Sequence, residues 1–332
     1  MAVTLKEVAA RAGVSRAAVS RTFTPGASVS PGMRARVEQA AAELGYSPNL
    51  LARALSTRKT QLVGLISNNF HNPAFLQIFD LFTRGLQDQG LRPLLVNLSD
   101  QTTPGHSLNL ARQYSVDGVI IASSHVPDNF AEAFQKAGMP VVHAFGSAAR
   151  TQGVAIAAID NVAAGRMAAQ TLMARGYRRI GFMGGPEGAS TTRDRLQGFL
   201  EAARVGGVPV SVSYAGAYGF EQGRAQMQRL LRDKTRAEAY FCADDVLSIG
   251  ALSAMRDAGL AVPDEIGVIG LNDMEMSGWA GIDLTTIHQP FAAIVSAAID
   301  MIVARFRDPD LLPETRLFPC RIVERKTLRP LP

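Results

Sequence analysis

Cysteine is nearly absent: Cys242 and Cys320 are the only two in 332 residues. They are too few for a disulfide framework or a cysteine-based metal site, and buried thiols in a reducing cytoplasm are expected. The five histidines, at 71, 106, 125, 143 and 288, show no paired metal-ligand spacing. Gly181, Gly184 and Gly185 do not make a dinucleotide fingerprint. No Walker-type phosphate loop and no Gly-x-Ser-x-Gly elbow occurs. An enzyme is therefore not expected, nor a metal or cofactor. No apolar run reaches the length that spans a bilayer, and the opening MAVTLKEVAARAG lacks the apolar centre of a signal peptide. A soluble, cytoplasmic protein with no membrane partner is the expectation. With 47% hydrophobic and 19% charged residues the chain reads as globular. Its length leaves room for a small head and a large, well-buried body.

The head begins with TLKEVAARAGVSRAAVSRTF, Thr4 to Phe23. Thr4 and Glu7 have the spacing of a capping box. Leu5, Val8, Ala9 and Ala12 form one apolar stripe. Gly13 suits the left-handed backbone that ends such a helix, and Ser15 can cap the next. At 100° per residue from Ser15, Ala18, Val19 and Thr22 share one side of a second helix. Arg16, Ala17, Ser20 and Arg21 share the other. Two helices at a tight turn, with guanidiniums and a hydroxyl facing outward, are the pattern of a helix-turn-helix whose second helix enters the DNA major groove. The arginine fork matches guanine O6 and N7, or a phosphate.

An ordinary helix hairpin with a solvated basic face would share this pattern, and charge separates the two readings. Residues 1–60 hold nine Lys or Arg against three Glu, a net +6, whereas the remainder holds 25 basic and 26 acidic residues. The whole excess of positive charge thus sits in the first fifth of the chain, where a phosphate backbone is its natural partner. A third helix is expected from about Ser30 to Leu44, with Pro31 in its first turn, Gly45 at its end, and Val37, Ala40, Ala41 and Leu44 inward. Leu50 to Ser56 is a segment of about two helical turns, too short to be stable in isolation.

From Leu62 the pattern changes. Apolar runs at 62–67, 92–99, 118–123, 140–145 and 154–160, then at 179–185, 210–216, 237–243 and 266–272, alternate with amphipathic stretches. The latter include Ala74–Gln89, Asn161–Arg175, Arg193–Arg204, Glu221–Arg232 and Asp245–Ala258. This rhythm implies an all-α head joined to an α/β body of two doubly wound parallel-sheet subdomains with a cleft between them. In such sheets ligands bind beyond the carboxyl ends of strands. Asn68, Asn69, His71 and Phe75 follow the first run, and Ser123 and Ser124 the third. Asp160, Arg193, Arg195, Tyr218, Asp244, Asn272 and Asp273 hold comparable places in the second half. For each of these a loop or helix-cap role competes with ligand contact. The adjacent Asp244 and Asp245 open a helix and do not face each other, so capping is their expected role.

VTLKEVAARAGVSRAAVSR, VSPGMRARVEQAAAELGYSPNLLARAL, DNVAAG, GFMGGP, RLQGF, ADDVLSIGAL, IGVIGLND and LTTIHQP together resemble the LacI/GalR family of bacterial transcription regulators, over about residues 3–325. The resemblance implies a DNA-binding head at 1–47, a hinge helix and linker at 48–60, and a periplasmic-binding-protein-like effector-binding and dimerisation body at 61–332. In the body, an N-subdomain is expected at about 61–159 and 290–317, and a C-subdomain at about 160–289 and 318–332. At the DNA it places Arg16 and Ala17 as the residues that chiefly set operator sequence. Ser20 and Arg21 hold the helix there, with Thr4 and Ser15 beside them. Asn49, Ala52 and Leu55 belong to the hinge, Leu55 being the apolar wedge that opens a base step. A homodimer reading a pseudo-palindromic operator follows.

In the body the resemblance implies an effector site of Asn69, His71, Phe75, Ser123, Asp160, Arg193, Arg195, Tyr218, Asp244 and Asn272. Arg195 matches the effector-binding arginine, Tyr218 the stacking aromatic, and Asp244 the group that hydrogen-bonds a sugar hydroxyl. Asn272 departs from the usual aspartate. With Arg193, Arg195 and His71 near, a sugar acid or sugar phosphate joins neutral sugars as a candidate effector. The function expected is a repressor of sugar-metabolism genes under small-molecule control. The alternative is a sugar-binding protein of a transport system, which the basic head opposes.

Overall fold

The computed structural model describes residues 3–24, 26–47, 59–68, 70–98, 103–123, 126, 130–148 and 153–332. The chain forms two compact units, Met1–Thr60 and Gln61–Pro332.

The first unit holds α1 (Leu5–Ala12), α2 (Arg16–Thr22) and α3 (Pro31–Leu44). Glu7 accepts hydrogen bonds from the Thr4 amide at 2.7 Å and the Thr4 hydroxyl at 2.8 Å, which hold its carboxyl below the usual glutamate value. Gly13 turns α1 into α2 with φ 63°, and the Ser15 hydroxyl accepts from the Ala18 amide at 3.2 Å. Val8, Ala9, Ala12, Val19, Val37, Ala40 and Ala41 close a small core. Arg34 of α3 donates to the Thr22 carbonyl at 2.9 Å, satisfying a carbonyl at the end of α2.

The second unit contains two six-stranded sheets. The first has β1 (Leu62–Ser67), β2 (Arg92–Asn97), β3 (Gly118–Ala122), β4 (Val141–Ala144), β5 (Ala155–Ile159) and β11 (Thr315–Phe318) in the order β11-β5-β4-β3-β1-β2, all parallel. Alternate residues serve opposite faces. Leu65, Ile120, Ala122, Val142 and Ala144 cluster with Phe82 and Leu86 of α4 (Ala74–Asp88) and Ile294 and Ile302 of α11 (Phe291–Arg307). Ile66, Val119, Ile121 and Val141 cluster instead with Ala111 of α5 (Pro104–Gln113) and Phe130 and Phe134 of α6 (Phe130–Lys136). Both faces are covered, which is why these strands read as continuous apolar runs.

The second sheet has β6 (Ile180–Gly184), β7 (Val210–Tyr214), β8 (Ala239–Cys242), β9 (Gly267–Asn272), β10 (Thr286–His288) and β12 (Arg321–Val323) in the order β12-β10-β9-β8-β6-β7. Here β12 runs antiparallel to β10, a departure from the all-parallel expectation. Its helices are α7 (Asn161–Ala174), α8 (Ser190–Val205), α9 (Phe220–Leu230) and α10 (Asp245–Asp257). A 3-10 turn, Glu275–Gly278, follows β9. Helices α7 and α8 touch backbone to backbone: a Cβ on Gly198 would stand 1.8 Å from the Val162 carbonyl oxygen, and one on Gly165 1.9 Å from that of Arg195.

All nine strand segments and all five helices expected in the body fall on observed elements. The largest shift is at α8, which starts at Ser190 rather than Arg193. The chain passes between the two lobes after β5, between β10 and α11, and between β11 and β12. The carboxyl ends of β1, β4, β8 and β9 thereby face a common cleft.

Candidate nucleic-acid interface and ligand cleft

On α2, Ala18, Val19 and Thr22 are buried, and Arg16, Ala17, Ser20 and Arg21 are exposed. The side chains that α2 presents to solvent are thus the four expected from the sequence, on a helix anchored through its opposite face. Thr4 and Ser15 are exposed caps at the starts of α1 and α2. Asn49, Ala52, Leu55 and Asn69 lie outside the described residues.

The cleft of the second unit holds a cavity of about 60 Å³ that opens to solvent. Phe75 and Ile78 of α4, with Asn72 just before it, line one wall. Thr191 and Arg195 of α8, Tyr218, Asp244 and Asn272 line the other. Phe145, Gln289 and Phe291 close the base beside the lobe crossover. Apolar ring faces and a few convergent polar groups share the space. The rings of Phe145 and Phe291 meet edge to face, 5.8 Å apart.

Every polar group of the lining but Gln289 is held from behind. Asp244 caps α10: its Oδ1 accepts from the Val246 amide at 2.7 Å and the Leu247 amide at 3.4 Å. Its Oδ2 accepts from Asn72 Nδ2 at 3.0 Å and Asn272 Nδ2 at 2.8 Å. Burial, with the Asp245 charge next to it, pushes the Asp244 carboxyl up to about 6 against the pull of those donors and of Arg195. Arg195 is 7% exposed. It donates through Nε to Asn161 Oδ1 at 2.8 Å and through Nη1 to the Ala243 carbonyl at 2.7 Å. Its Nη2 makes no hydrogen bond among the described residues, which leaves that donor for the cleft. The Tyr218 hydroxyl lies 2.5 Å from Thr192 Oγ1, and its ring rests where a Cβ on Gly185 would stand 2.6 Å away. Asn272 has φ 132° and Asp273 φ 60°. That backbone is held by Asp273, which accepts from Arg325 at 2.7 Å and meets His288 Nδ1 at 3.0 Å.

Two family models match the chain: bacterial regulatory proteins of the lacI family over residues 4–49, and a periplasmic binding protein-like domain over residues 169–328. The HTH-type transcriptional regulator CelR of Thermobifida fusca is 34% identical over 304 residues, 86% of this chain and 87% of that one. The chain belongs to the LacI family of bacterial regulators. The solved Lac repressor dimer bound to operator and the anti-inducer ONPF superposes with a TM-score of 0.88 at 26% identity, covering 98% of this chain and 99% of that one. A CelR–cellobiose complex gives 0.74 at 29% identity, covering 98% and 99%. As a LacI-family member the chain is a DNA-binding transcriptional regulator and not an enzyme. Among the described residues no group of His, Cys, Asp and Glu could hold a metal ion, and no helix is long and apolar enough to cross a membrane.

In this LacI-family body, five of the expected effector residues share the cleft: Phe75, Arg195, Tyr218, Asp244 and Asn272. Four stand outside its lining. His71 is exposed. Ser123 spends its hydroxyl on Asn68 Oδ1 at 2.6 Å. Asp160 turns back onto its own helix, accepting from the Ala163 amide at 2.8 Å. Arg193 sits two residues before Arg195 on α8, about 200° round the helix, and so cannot share its face. Sequence reasoning missed Asn72, Ile78, Phe145, Thr191, Gln289 and Phe291. Thr191 was within reach, because it lies four residues before Arg195 on the same face. Gln289 is 5% exposed, and its carboxamide makes no hydrogen bond among the described residues.

Proposed function

We propose that this regulator is a homodimeric, cytoplasmic repressor that grips a pseudo-palindromic operator through α2 and answers to a sugar-like effector in the cleft. The observation that carries the reading is the composition of the cleft. Four aromatic rings line it, apolar surface suited to the C–H groups of a sugar ring, and Asp244, Arg195, Gln289, Asn272 and Thr191 supply donors and acceptors for its hydroxyls. Support comes from the relatives, since CelR is solved with cellobiose and the Lac repressor as an operator-bound dimer. Dimerisation follows from reading a two-fold site. Arg16 and Ala17 read bases in this scheme, Ser20 and Arg21 steady the helix with Thr4 and Ser15, and Asn49, Ala52 and Leu55 act in the hinge. Effector in the cleft changes the pose of the two lobes and, by linkage, operator affinity.

The effector is a neutral sugar, a sugar acid or a sugar phosphate. Arg195 Nη2 is the donor for an acidic group, and with His71 and Arg193 out of the lining Arg195 is the only cation there among the described residues. The experiment is selection of bound genomic fragments by the purified full-length protein, then titration on the best site at fixed salt. Repeats include cellobiose, glucuronate and glucose 6-phosphate. The expected result is a pseudo-palindrome bound at least about a thousandfold above random DNA, with one class of sugar changing that affinity about tenfold or more. Weak binding, blind to sequence and abolished by salt, overturns the reading.

A further inference from the structure

We infer that Asn72 is an interlobe bridge occupying, on Asp244, the place that an effector hydroxyl must take. The inference rests on the cleft being the effector site. Asn72 is 1% exposed. It is fixed to the first lobe, because its Oδ1 accepts from the Ala74 amide at the start of α4 at 3.0 Å. Its Nδ2 crosses the cleft, donating to Asp244 Oδ2 at 3.0 Å and to the Tyr218 carbonyl at 3.4 Å, both on the second lobe.

A carboxylate accepts about four hydrogen bonds, and those of Asp244 are all taken, by Val246, Leu247, Asn272 and Asn72. The first three belong to the second lobe and move with Asp244. Only the Asn72 bond joins two bodies that can separate. A sugar hydroxyl that donates to Asp244 therefore replaces Asn72, and the effector exchanges an interlobe contact for its own. Selectivity follows from the same exchange: the effector presents a donor, not an acceptor, at this point. A ligand lacking that hydroxyl leaves the bridge in place.

The test uses full-length protein carrying Asn72→Ser. Serine can still accept from the Ala74 amide but is too short to span the cleft. Spin labels at Arg112 on α5 and Gln228 on α9, with Cys320 replaced by serine, report the lobe separation by double electron–electron resonance without ligand. The expected result is a longer and broader distance distribution than in the same labelled protein with Asn72 intact, at an unchanged circular dichroism spectrum. Superimposable distributions overturn the bridge. In titration calorimetry with cellobiose, glucuronate and glucose 6-phosphate, a sugar that binds the wild type binds Asn72→Ser about tenfold tighter, the competing charge-assisted bond being gone. Equal or weaker binding overturns the exchange and makes Asn72 a ligand contact or a bystander. Absence of binding by all three sugars counts against the sugar reading, and the spin-label distances alone then decide the bridge.

Discussion

Replacing Asp244 by asparagine removes the buried charge at the centre of the cleft. The wild-type carboxyl is pushed from 3.8 up to about 6. The folded protein therefore holds this proton more tightly than the unfolded chain, by about 3 kcal/mol at about 1.4 kcal/mol per pH unit. Below pH 3.8 the group is neutral in both states, and its favourable contribution is fully present. As pH rises through about 6 the folded state must carry a buried anion, and that contribution is lost. The asparagine variant has no such proton. Its stability relative to wild type should rise by about 2.4 kcal/mol between pH 4 and pH 7, a sizeable part of a typical 5–15 kcal/mol total.

Loss of hydrogen bonds in the same variant acts independently of pH. If the amide oxygen serves the Val246 amide, its NH₂ faces the NH₂ groups of Asn72 and Asn272, which costs about 1–3 kcal/mol. The slope with pH, not the stability at any one pH, is thus the diagnostic quantity. Urea denaturation of both proteins in half-unit steps from pH 4 to pH 8 measures it. Parallel curves would refute the buried-anion reasoning.

The remaining predictions concern the head, the hinge and the helix crossing. Arg16→Ala should alter base preference at one position in each half-site, read by binding selection, whereas a uniform loss across sequences would mark a phosphate contact. Ser15→Ala removes the cap on the Ala18 amide and should lower the stability of the head by about 1 kcal/mol. Melting of the head followed separately from the body checks it, and an unmoved transition would dismiss the cap. Leu55→Ala should weaken operator binding while leaving effector affinity nearly unchanged, and undiminished operator affinity would remove the wedge assignment. Gly198→Ala forces a methyl group against the Val162 carbonyl and should cost about 3 kcal/mol or more, because backbone cannot yield as a side chain does. A urea midpoint equal to wild type would contradict the close crossing.

The body was legible wherever burial is strongly patterned. Strands such as β3, with all five residues buried, and β9, with all six, read as unbroken apolar runs. The three-residue β10 and β12 offer too few residues for any period. Helix α11 escaped for the opposite reason: it is apolar through most of its 17 residues, so no polar face marks it. Within the site, sequence reasoning reached the loop after β1 and selected Asn68, Asn69 and His71 in it. The residue that reaches the cleft is Asn72, one position before Pro73, and alternation cannot resolve side-chain direction in a turn. Phe145 enters the cleft from a backbone at φ 63°, unusual for an aromatic residue and without a local sequence signal.

Asp244 and Asp245 show why the cap and ligand readings of a residue need not compete. In a parallel α/β sheet the helix following a strand starts at the sheet's carboxyl edge, which is also where ligands bind. A capping carboxylate at that edge commits one oxygen to the helix and turns the second outward: in Asp244, Oδ1 serves Val246 and Leu247, and Oδ2 faces the cleft, where it accepts from Asn72 and Asn272. Asp245, about 100° further round the helix, is fully buried and turns both oxygens away from the cleft. Its Oδ1 accepts from the Thr286 hydroxyl at 2.5 Å, and its Oδ2 from the Met274 amide and the Ser277 hydroxyl, each at 2.8 Å. Those three donors lie on β10 and the loop that leaves β9. Asp245 therefore fixes the segment immediately after Asn272 and Asp273, while Asp244 receives the Asn272 amide. Two adjacent aspartates divide the work by direction alone, one bracing the loop and the other facing the cleft that the loop completes.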